Sequence, residues 1–290
     1  MLLGSVGFVV TLSVLVFIAP ENANPSLATI RQPPERAIWC SLVAAQVALW
    51  TIMLPSLLAM LKEYREMLRE HRSGAAILLT GLLLLFGAFL AGHGGLSDKL
   101  RFPVEWQEPK IKAISYIGLV PMLLSLLGIY AVSAAAEAAM LQIDDVRSHI
   151  FSFLKMRRDM RTFLTMAGLI IGTATLCTGA LHRALVVLNE GFVYNRTLVL
   201  LYGAFGSGVI ALVYVPARLL MNRIGHGIVS RLLVQPLPDL DSLVKWRADM
   251  DALEDVLDLK TSIWEDLKDS LSLLYPLAGS AISVLLGVGK

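Results

Sequence analysis

Seven long stretches of this chain contain no Asp, Glu, Lys or Arg, and most of their residues are apolar. As an α-helix, a stretch of about 20 such residues can cross the ~30 Å hydrocarbon core of a bilayer. Lipid-facing backbone groups must be hydrogen-bonded within their own segment, and the alternation typical of barrel strands is not seen. The sequence therefore predicts an all-α, polytopic transmembrane helical bundle. The stretches are 3–19, 37–61, 75–97, 113–136, 162–181, 197–217 and 271–289.

The composition agrees with a membrane protein. Hydrophobic residues make up 56% of the chain and charged residues 17%, and the mean hydropathy is +0.67. A soluble domain has fewer apolar and more charged residues. The two cysteines, Cys40 and Cys177, both lie in apolar stretches, so the chain offers neither a disulfide framework nor a CxxC motif.

The first and last stretches decide whether the bundle has six or seven spans. Stretch 3–19 lacks a basic segment before it and a good small-residue cleavage site after it, so we expect an uncleaved anchor. Stretch 271–289 is interrupted by Pro276, Gly279 and Ser283. It can span the bilayer, lie along its surface or re-enter, and the sequence leaves these alternatives open.

The distribution of basic residues predicts the orientation. Twelve Lys and Arg side chains lie in the connections around 62–72, 147–161 and 218–231, against eight in the connections on the opposite side. Short cytoplasmic loops retain such an excess. The bias places the N-terminus and the segment that follows the sixth stretch in the cytoplasm. We expect the membrane to be a bacterial plasma (inner) membrane.

Composition divides the chain into three parts. Residues 1–235 form the transmembrane helical domain, 236–270 an acidic cytosolic helical segment, and 271–290 an apolar helix. Residues 239–269 carry ten acidic side chains against four basic ones, a net charge of −6. The segment has a heptad-like apolar pattern, but Ser262 with Glu265 resembles a capping box, which favours two short amphipathic helices over a coiled coil. It is either a solvated face or an element that docks reversibly on the basic loops.

Charged residues are missing from the middle of every apolar stretch. Glu137 falls at the cytosolic end of the fourth stretch, and Gln46 is the one strongly polar side chain deep in the second. Ionisable residues inside a membrane usually mark proton or ion paths. The pattern argues against a proton-coupled transporter and a voltage sensor, and it allows a pore lined by hydroxyl, backbone or apolar groups.

Small and hydroxylic residues are concentrated in the fifth and sixth stretches. Gly168 and Gly172 form a GxxxG pair, which allows close helix approach within one subunit or between subunits. The alternative is a polar cavity lining. The candidate packing or lining residues are Thr165, Gly168, Gly172, Thr175, Gly203, Gly206 and Ser207.

A basic cluster, Lys155, Arg157 and Arg158, precedes the fifth stretch. It follows an amphipathic pattern that continues from the fourth stretch. Such a cluster binds anionic lipid headgroups or anchors the topology. We predict one of these two roles for it.

Motifs for metal binding and catalysis are weak. His93 and His182 are predicted at the outer ends of two helices, where a pair of imidazoles could ligate a metal or haem iron, but no further side chain completes a shell. They are weak candidates, and no metal or cofactor is predicted. No P-loop, GxGxxG, HExxH or GxSxG occurs. Asp144 and Asp145 beside basic residues are the remaining acidic pair.

These observations predict a membrane protein without a catalytic centre. The leading hypothesis is a self-associating channel, pore or transport-related bundle of unknown substrate. The alternative is a non-conducting scaffold or signalling subunit that docks a cytosolic protein through its acidic tail, and the third is a lipid-modifying enzyme that uses Asp144, Asp145 or Glu137. The expected partners are the lipid bilayer, a second copy of the chain and a cytosolic protein; no nucleic acid is expected.

Overall fold

The computed structural model describes residues 34–97, 107–140, 146–188, 196–233, 240–257 and 259. This part of the chain is helical almost throughout and contains no strand, so the predicted all-α class is confirmed. Its helices are α1 (Pro34–Glu63), α2 (Arg65–Glu70), α3 (Arg72–Ser97), α4 (Gln107–Met140), α5 (Val146–Leu188), α6 (Arg196–Leu232) and α7 (Leu240–Val256).

Four of the described helices are long and apolar enough to cross a membrane. The candidate spans are Ala37–Glu63, Ala113–Ala139, Ile150–Leu181 and Leu201–Arg231. The first three contain the stretches 37–61, 113–136 and 162–181, and the fourth overlaps the stretch 197–217. The apolar helix Arg72–Ala88, within α3, is shorter. The stretches 3–19 and 271–289 lie outside the described residues. A membrane bundle is therefore supported, whereas six or seven spans stay a prediction.

Helices α4 and α5 form the centre of the bundle. They pack along each other, and α1 and α6 each contact both of them. Helix α3 lies against α4 through a smaller contact, and α7 lies against α6. The core at the middle of the bundle is filled by fully buried side chains from the four main helices, including Leu57, Leu126, Met160, Phe163 and Tyr214.

Close approach between α4 and α5 depends on Gly128. A Cβ atom at this position would overlap the ring of Phe163, which is fully buried. Lipid tails are as apolar as Leu, so helices in a membrane are held together mainly by close packing. The Gly128–Phe163 contact is therefore central to the α4–α5 interface.

Helices α5 and α6 are longer than the hydrocarbon core of a bilayer requires. With 43 and 37 residues they are about 65 Å and 55 Å long, against a hydrocarbon core of about 30 Å. We call the end that contains Tyr64, Arg157 and Arg218 the basic end, and the opposite end the Trp39 end. At the basic end the core continues through buried side chains of α5 and α6, including Phe153, Met156, Ile224 and Ile228.

The last described residues of the acidic segment dock at the basic end. Leu257 is 0% exposed and Leu259 is also buried, and the Leu259 side chain lies against Gly225 of α6. The Arg157 guanidinium donates a hydrogen bond to the Leu257 carbonyl oxygen, and His226 Nδ1 lies 3.5 Å from Glu254 Oε1. Apolar burial thus contributes to this contact together with charge. The predicted capping box at Ser262 lies outside the described residues.

Candidate functional site

The main candidate site is a cavity at the Trp39 end of the bundle, between α1, α4, α5 and α6. Its volume is about 120 Å³, and Phe86 of α3 contributes to one wall. We call it the Trp50 cavity, after the indole on its α1 wall. Cavities of this kind between bundle helices are frequent ligand sites in α-helical proteins.

One face of α1 supplies the first wall. Gln46 is 5% exposed and Trp50 is 6% exposed, and the buried Trp50 Nε1 has no hydrogen-bond partner in the described part of the chain. Gln46 lies deep in the second apolar stretch, and its side chain is accordingly buried. The residues of this wall recur at intervals of three or four and so share one helix face: Trp39, Val43, Gln46 and Trp50.

Two glycines on the facing helices allow side chains of the cavity wall to approach closely. Gly118 of α4 lies against the Trp50 ring so closely that a Cβ atom would overlap it. On α6, a Cβ atom at Gly206 would lie 2.8 Å from Ile171 Cγ2. Real Cβ atoms do not approach other atoms this closely. A larger side chain at either glycine would therefore displace a cavity wall or fill the cavity.

An aromatic pair closes the side of the cavity next to α3. The rings of Phe86 and Phe205 pack edge to face, with centroids 5.5 Å apart and an interplanar angle of 83°. Such a pair contributes about 0.5–1.5 kcal/mol beyond its burial. Because α3 packs less extensively than the four main helices, this aromatic contact is one of the contacts that hold the wall in place, together with the buried Leu82.

The lining determines which chemistry the cavity can support. Among the described residues that line it there is no Asp, Glu, Lys, Arg or His. Hydrogen-bonding groups come from Gln46, Ser115, Thr178, Tyr202 and the indoles, and the rest of the surface is apolar. Such a lining suits an uncharged, mostly apolar molecule with one or two polar groups. It provides no general base for a nucleophile and no ionisable relay.

The structure distributes the predicted packing and lining residues over several places. Gly206 lines the Trp50 cavity, whereas Thr165 is exposed and lines a groove near the basic end. Thr175 is fully buried, and its Oγ1 donates a 2.9 Å hydrogen bond to the Ile171 carbonyl oxygen of its own helix. Gly168, Gly172 and Gly203 are buried, and Ser207 is half-buried. These residues therefore do not converge on one site.

The three residues of the predicted basic cluster have different surroundings. Lys155 is exposed and forms an ion pair with Glu63 of α1. Arg157 is 3% exposed and bonds to Leu257, while Arg158 is exposed. The three residues therefore do not form one surface cluster, because Arg157 is buried and contacts the docked end of the acidic segment.

Tyr64 ties the end of α1 to α5 at the basic end. Its hydroxyl donates a 2.6 Å hydrogen bond to Asp159 Oδ2. Burial and this hydrogen bond raise the pKa of Tyr64 above its ordinary value, so the hydroxyl stays a neutral donor. The Asp159 carboxylate therefore accepts a hydrogen bond that links α5 to the end of α1.

The side chains of the weak metal candidates and of the acidic pair belong to positions that the structure does not describe. The side chains of His93 and His182 lie outside the described residues, as do Asp144 and Asp145. Within the described ranges, no group of three or more His, Cys, Asp or Glu side chains could hold a metal ion. Glu137 is exposed at the end of α4.

Arg218 has an environment that charge counting does not predict. Its place after the sixth apolar stretch predicts a solvated cation that flanks the membrane, but it is fully buried. A signal was available, because Tyr214, Met221 and Ile224 lie at helical spacing from it and are buried with it. A buried guanidinium in a membrane bundle is costly and is usually retained for a structural or functional reason.

A comparison with known protein families, with curated proteins and with solved structures finds no match to this chain.

Proposed function

We propose that this protein is a transport-related membrane bundle that binds a small, uncharged, largely apolar molecule in the Trp50 cavity. The observation that carries this proposal is a partly open cavity without ionic lining among the described residues, whose wall nevertheless contains the buried side chain of Gln46. Burying an amide in an apolar wall costs about 1–3 kcal/mol unless a partner compensates it. A bound molecule with one polar group would supply that partner.

The cavity has a size that favours a small ligand. An engineered apolar cavity of about 150 Å³ in another protein stays dry and binds benzene, and the Trp50 cavity is of the same order at about 120 Å³. Its lining, mostly apolar with a few polar groups, is the usual composition of a small-molecule site. The ligand class is therefore an aromatic or short aliphatic molecule without net charge.

Packing below the cavity favours a carrier over a permanently open pore. Between the cavity and the basic end, fully buried side chains such as Leu57, Leu126 and Phe163 fill the middle of the described bundle. Passage through one copy would require these helices to move apart. An alternating opening of the two ends is consistent with this packing, and any continuous pore would run between copies.

The membrane, the orientation and the assembly belong to the same proposal. The excess of basic residues around the basic end supports a cytoplasmic location for that end and for the N-terminus, in a bacterial plasma membrane. Exposed apolar side chains on α3, such as Ile77 and Leu84, suit contact with lipid or with a second copy. Self-association is thus proposed together with binding.

A second candidate function is a signalling or scaffold subunit that binds a cytosolic protein through its acidic tail. The observation that favours it is the docked state of Leu257 and Leu259 at the basic end. If the acidic segment detached, it would expose its own apolar side chains and the surface around Phe153 and Gly225 on which Leu259 packs. This function does not need the Trp50 cavity, so the two candidates can be tested separately.

Gly206→Leu is expected to weaken the binding of a neutral aromatic probe at least tenfold. We choose radiolabelled indole because it is apolar and has a single N–H group. This group can donate a hydrogen bond to the side-chain oxygen of Gln46. The leucine side chain would occupy the cavity beside Ile171, so we expect at least a tenfold loss of indole affinity in a scintillation proximity assay on purified protein. Indole-3-acetate, which carries a carboxylate, is expected to compete at least tenfold more weakly than indole.

Gly208→Leu is the matched control for this experiment. Gly208 lies two residues away on the same helix, is exposed, and has open space around a Cβ atom. The Gly208→Leu variant should bind indole with the same affinity as the unchanged protein. Equal indole binding by the two leucine variants, or binding of indole-3-acetate as strong as that of indole, would refute the proposed cavity ligand.

A further inference from the structure

Trp50 carries a buried hydrogen-bond donor that the described part of the chain leaves without a partner. Its side chain lines the Trp50 cavity and is 6% exposed, and its Nε1 is buried with no hydrogen-bond partner among the described residues. A buried N–H group in this state has lost its hydrogen bond to water without a replacement. Such groups are rare in native structures. A molecule bound in the cavity that the same side chain lines can supply the acceptor.

The Trp50 ring is held in position by α4. A Cβ atom at Gly118 would overlap the six-membered part of the ring and would lie 2.7 Å from Cζ2. The ring therefore packs directly on the α4 backbone, and any rotation of the ring would remove this contact. A tryptophan side chain has only two rotatable bonds. The N–H group is consequently a donor of fixed direction, and preorganised groups of this kind favour tight binding.

Gln46 adds a second hydrogen-bonding group one helical turn from Trp50. Residues four apart share a helix face, and helical side chains lean towards the N-terminus, so the Trp50 side chain leans towards the turn of Gln46. Gln46 is 5% exposed and lines the same cavity. The two side chains are not bonded to each other, because Trp50 Nε1 has no partner among the described residues. The α1 wall thus offers an N–H donor beside an amide that can accept.

Thr178, on the α5 wall, does not replace Trp50 as a donor. It lines the cavity, but its Oγ1 donates a 2.8 Å hydrogen bond to the Ala174 carbonyl oxygen of its own helix. A hydroxyl group has a single proton, which this hydrogen bond uses. The Trp50 N–H group, in contrast, is still available to donate to a ligand.

We propose that the ligand of the Trp50 cavity carries a carbonyl oxygen next to an N–H group, as in a lactam or another uncharged cyclic amide. Trp50 Nε1 donates a hydrogen bond to the carbonyl oxygen, and the side-chain oxygen of Gln46 accepts one from the ligand N–H. Trp50 thereby distinguishes this ligand from an aromatic ring of the same shape without a carbonyl group. The inference rests on the proposed function, because it names the chemical class of the ligand of that cavity.

Oxindole is expected to bind at least tenfold more tightly than indole. The two molecules share their ring system and their N–H group, and oxindole adds a carbonyl group beside it. Burial of an unpaired carbonyl would weaken binding, whereas pairing it with a buried, unpaired donor should strengthen binding about 5- to 150-fold. Competition with radiolabelled indole on the purified full chain measures both affinities. Indanone and indane, which differ in the carbonyl group alone, should show the same order.

Trp50→Phe is expected to remove the preference for oxindole. Phenylalanine keeps an aromatic ring beside Gly118 but has no N–H group, so oxindole and indole should bind this variant within threefold of each other. A general effect of the smaller ring acts on both ligands and does not change their ratio. Trp39→Phe is the matched control, because Trp39 lines the same face of α1 and its N–H is not among the buried, unpartnered groups of the described residues. This control should keep the tenfold preference.

The outcomes separate this inference from the proposed function. If neither indole nor oxindole bound the unchanged protein, the proposed function itself would be wrong. If indole bound and oxindole bound no more tightly, the cavity would remain a ligand site and the cyclic amide class would be refuted. A preference that persisted in Trp50→Phe with an intact fold, or that Trp39→Phe alone removed, would show that Trp50 is not the donor. If Trp50→Phe failed to fold, equal binding of indanone and indane by the unchanged protein would still overturn the inference.

Discussion

Gly128→Leu is expected to destabilise the bundle by about 3 kcal/mol, at the upper end of what overpacking usually costs. Even a Cβ atom at this position would overlap the ring of Phe163, and that ring is fully buried between α4 and α5. Since Phe163 has no exposed side to which it can move, the two helices must separate. Thermal or denaturant unfolding of the detergent-purified protein measures the loss.

Gly81→Leu is the control for this substitution. Gly81 lies in α3, and a Cβ atom there has no neighbour within 4 Å, so the same chemical change meets open space. Its free energy of unfolding should stay within about 0.5 kcal/mol of the unchanged protein, as for most surface substitutions. If both variants lost stability equally, the close α4–α5 contact described above would be wrong.

Leu257→Ala is expected to release the docked end of the acidic segment. Leu257 is 0% exposed at the basic end, beyond the apolar spans, so its removal costs both transfer from water and packing. We expect the docking free energy to fall by about 2–3 kcal/mol. That corresponds to a roughly 30- to 140-fold decrease in hydrogen-exchange protection of α7, which exchange followed by mass spectrometry measures directly.

The neighbouring residue provides the control for the docking prediction. Val256 is 61% exposed, so Val256→Ala removes apolar atoms at the same place in the chain without changing the buried contact of Leu257 at the basic end. In this variant the hydrogen-exchange protection of α7 should change less than twofold. Undiminished protection of α7 in Leu257→Ala would contradict docking through the leucines. If protection fell as predicted and a cytosolic protein then bound, the scaffold function would gain support over the carrier.

The overall architecture could be predicted because the bilayer imposes a simple rule on sequence. Stretches without charge must be helical where they face lipid, and four of them coincide with candidate spans. The number of spans was less predictable, because stretch 75–97 falls in a helix whose described apolar part is short. Its assignment depends on the surrounding helices as well as on its own composition.

The cavity could not be predicted because it depends on how side-chain sizes match across helices. Trp50 faces Gly118 on another helix, and Ile171 faces Gly206, pairs that are far apart in the sequence. A stripe of small residues predicts close packing equally well, which is the case for Gly128 and Phe163. Only the facing residue decides whether a glycine lies in close contact with another helix, as at Gly118 and Gly128, or borders open space, as at Gly81.

The basic residues show why charge counting gave only part of the result. Counting Lys and Arg predicts which loops share a side of the membrane, but it treats every cation as solvated. Arg157 is instead buried against the Leu257 carbonyl, and Arg218 is buried on the face that carries Tyr214. The helical position of each arginine relative to apolar neighbours would have separated these two from exposed Arg158.

Labelling of Cys177 tests the central claim, that the Trp50 cavity admits small uncharged molecules and excludes ions. Cys177 lines the cavity and is a free thiol, and site mapping by mass spectrometry distinguishes it from Cys40. We predict that Cys177 of the folded protein reacts with neutral N-ethylmaleimide at least tenfold faster than with an anionic sulfonated maleimide, relative to the rates in denatured protein. Gly206→Leu should slow the neutral reaction, Gly208→Leu should not, and indole should protect the thiol. Equal reaction with both reagents, or no reaction of Cys177 with the neutral one, would contradict the proposed function.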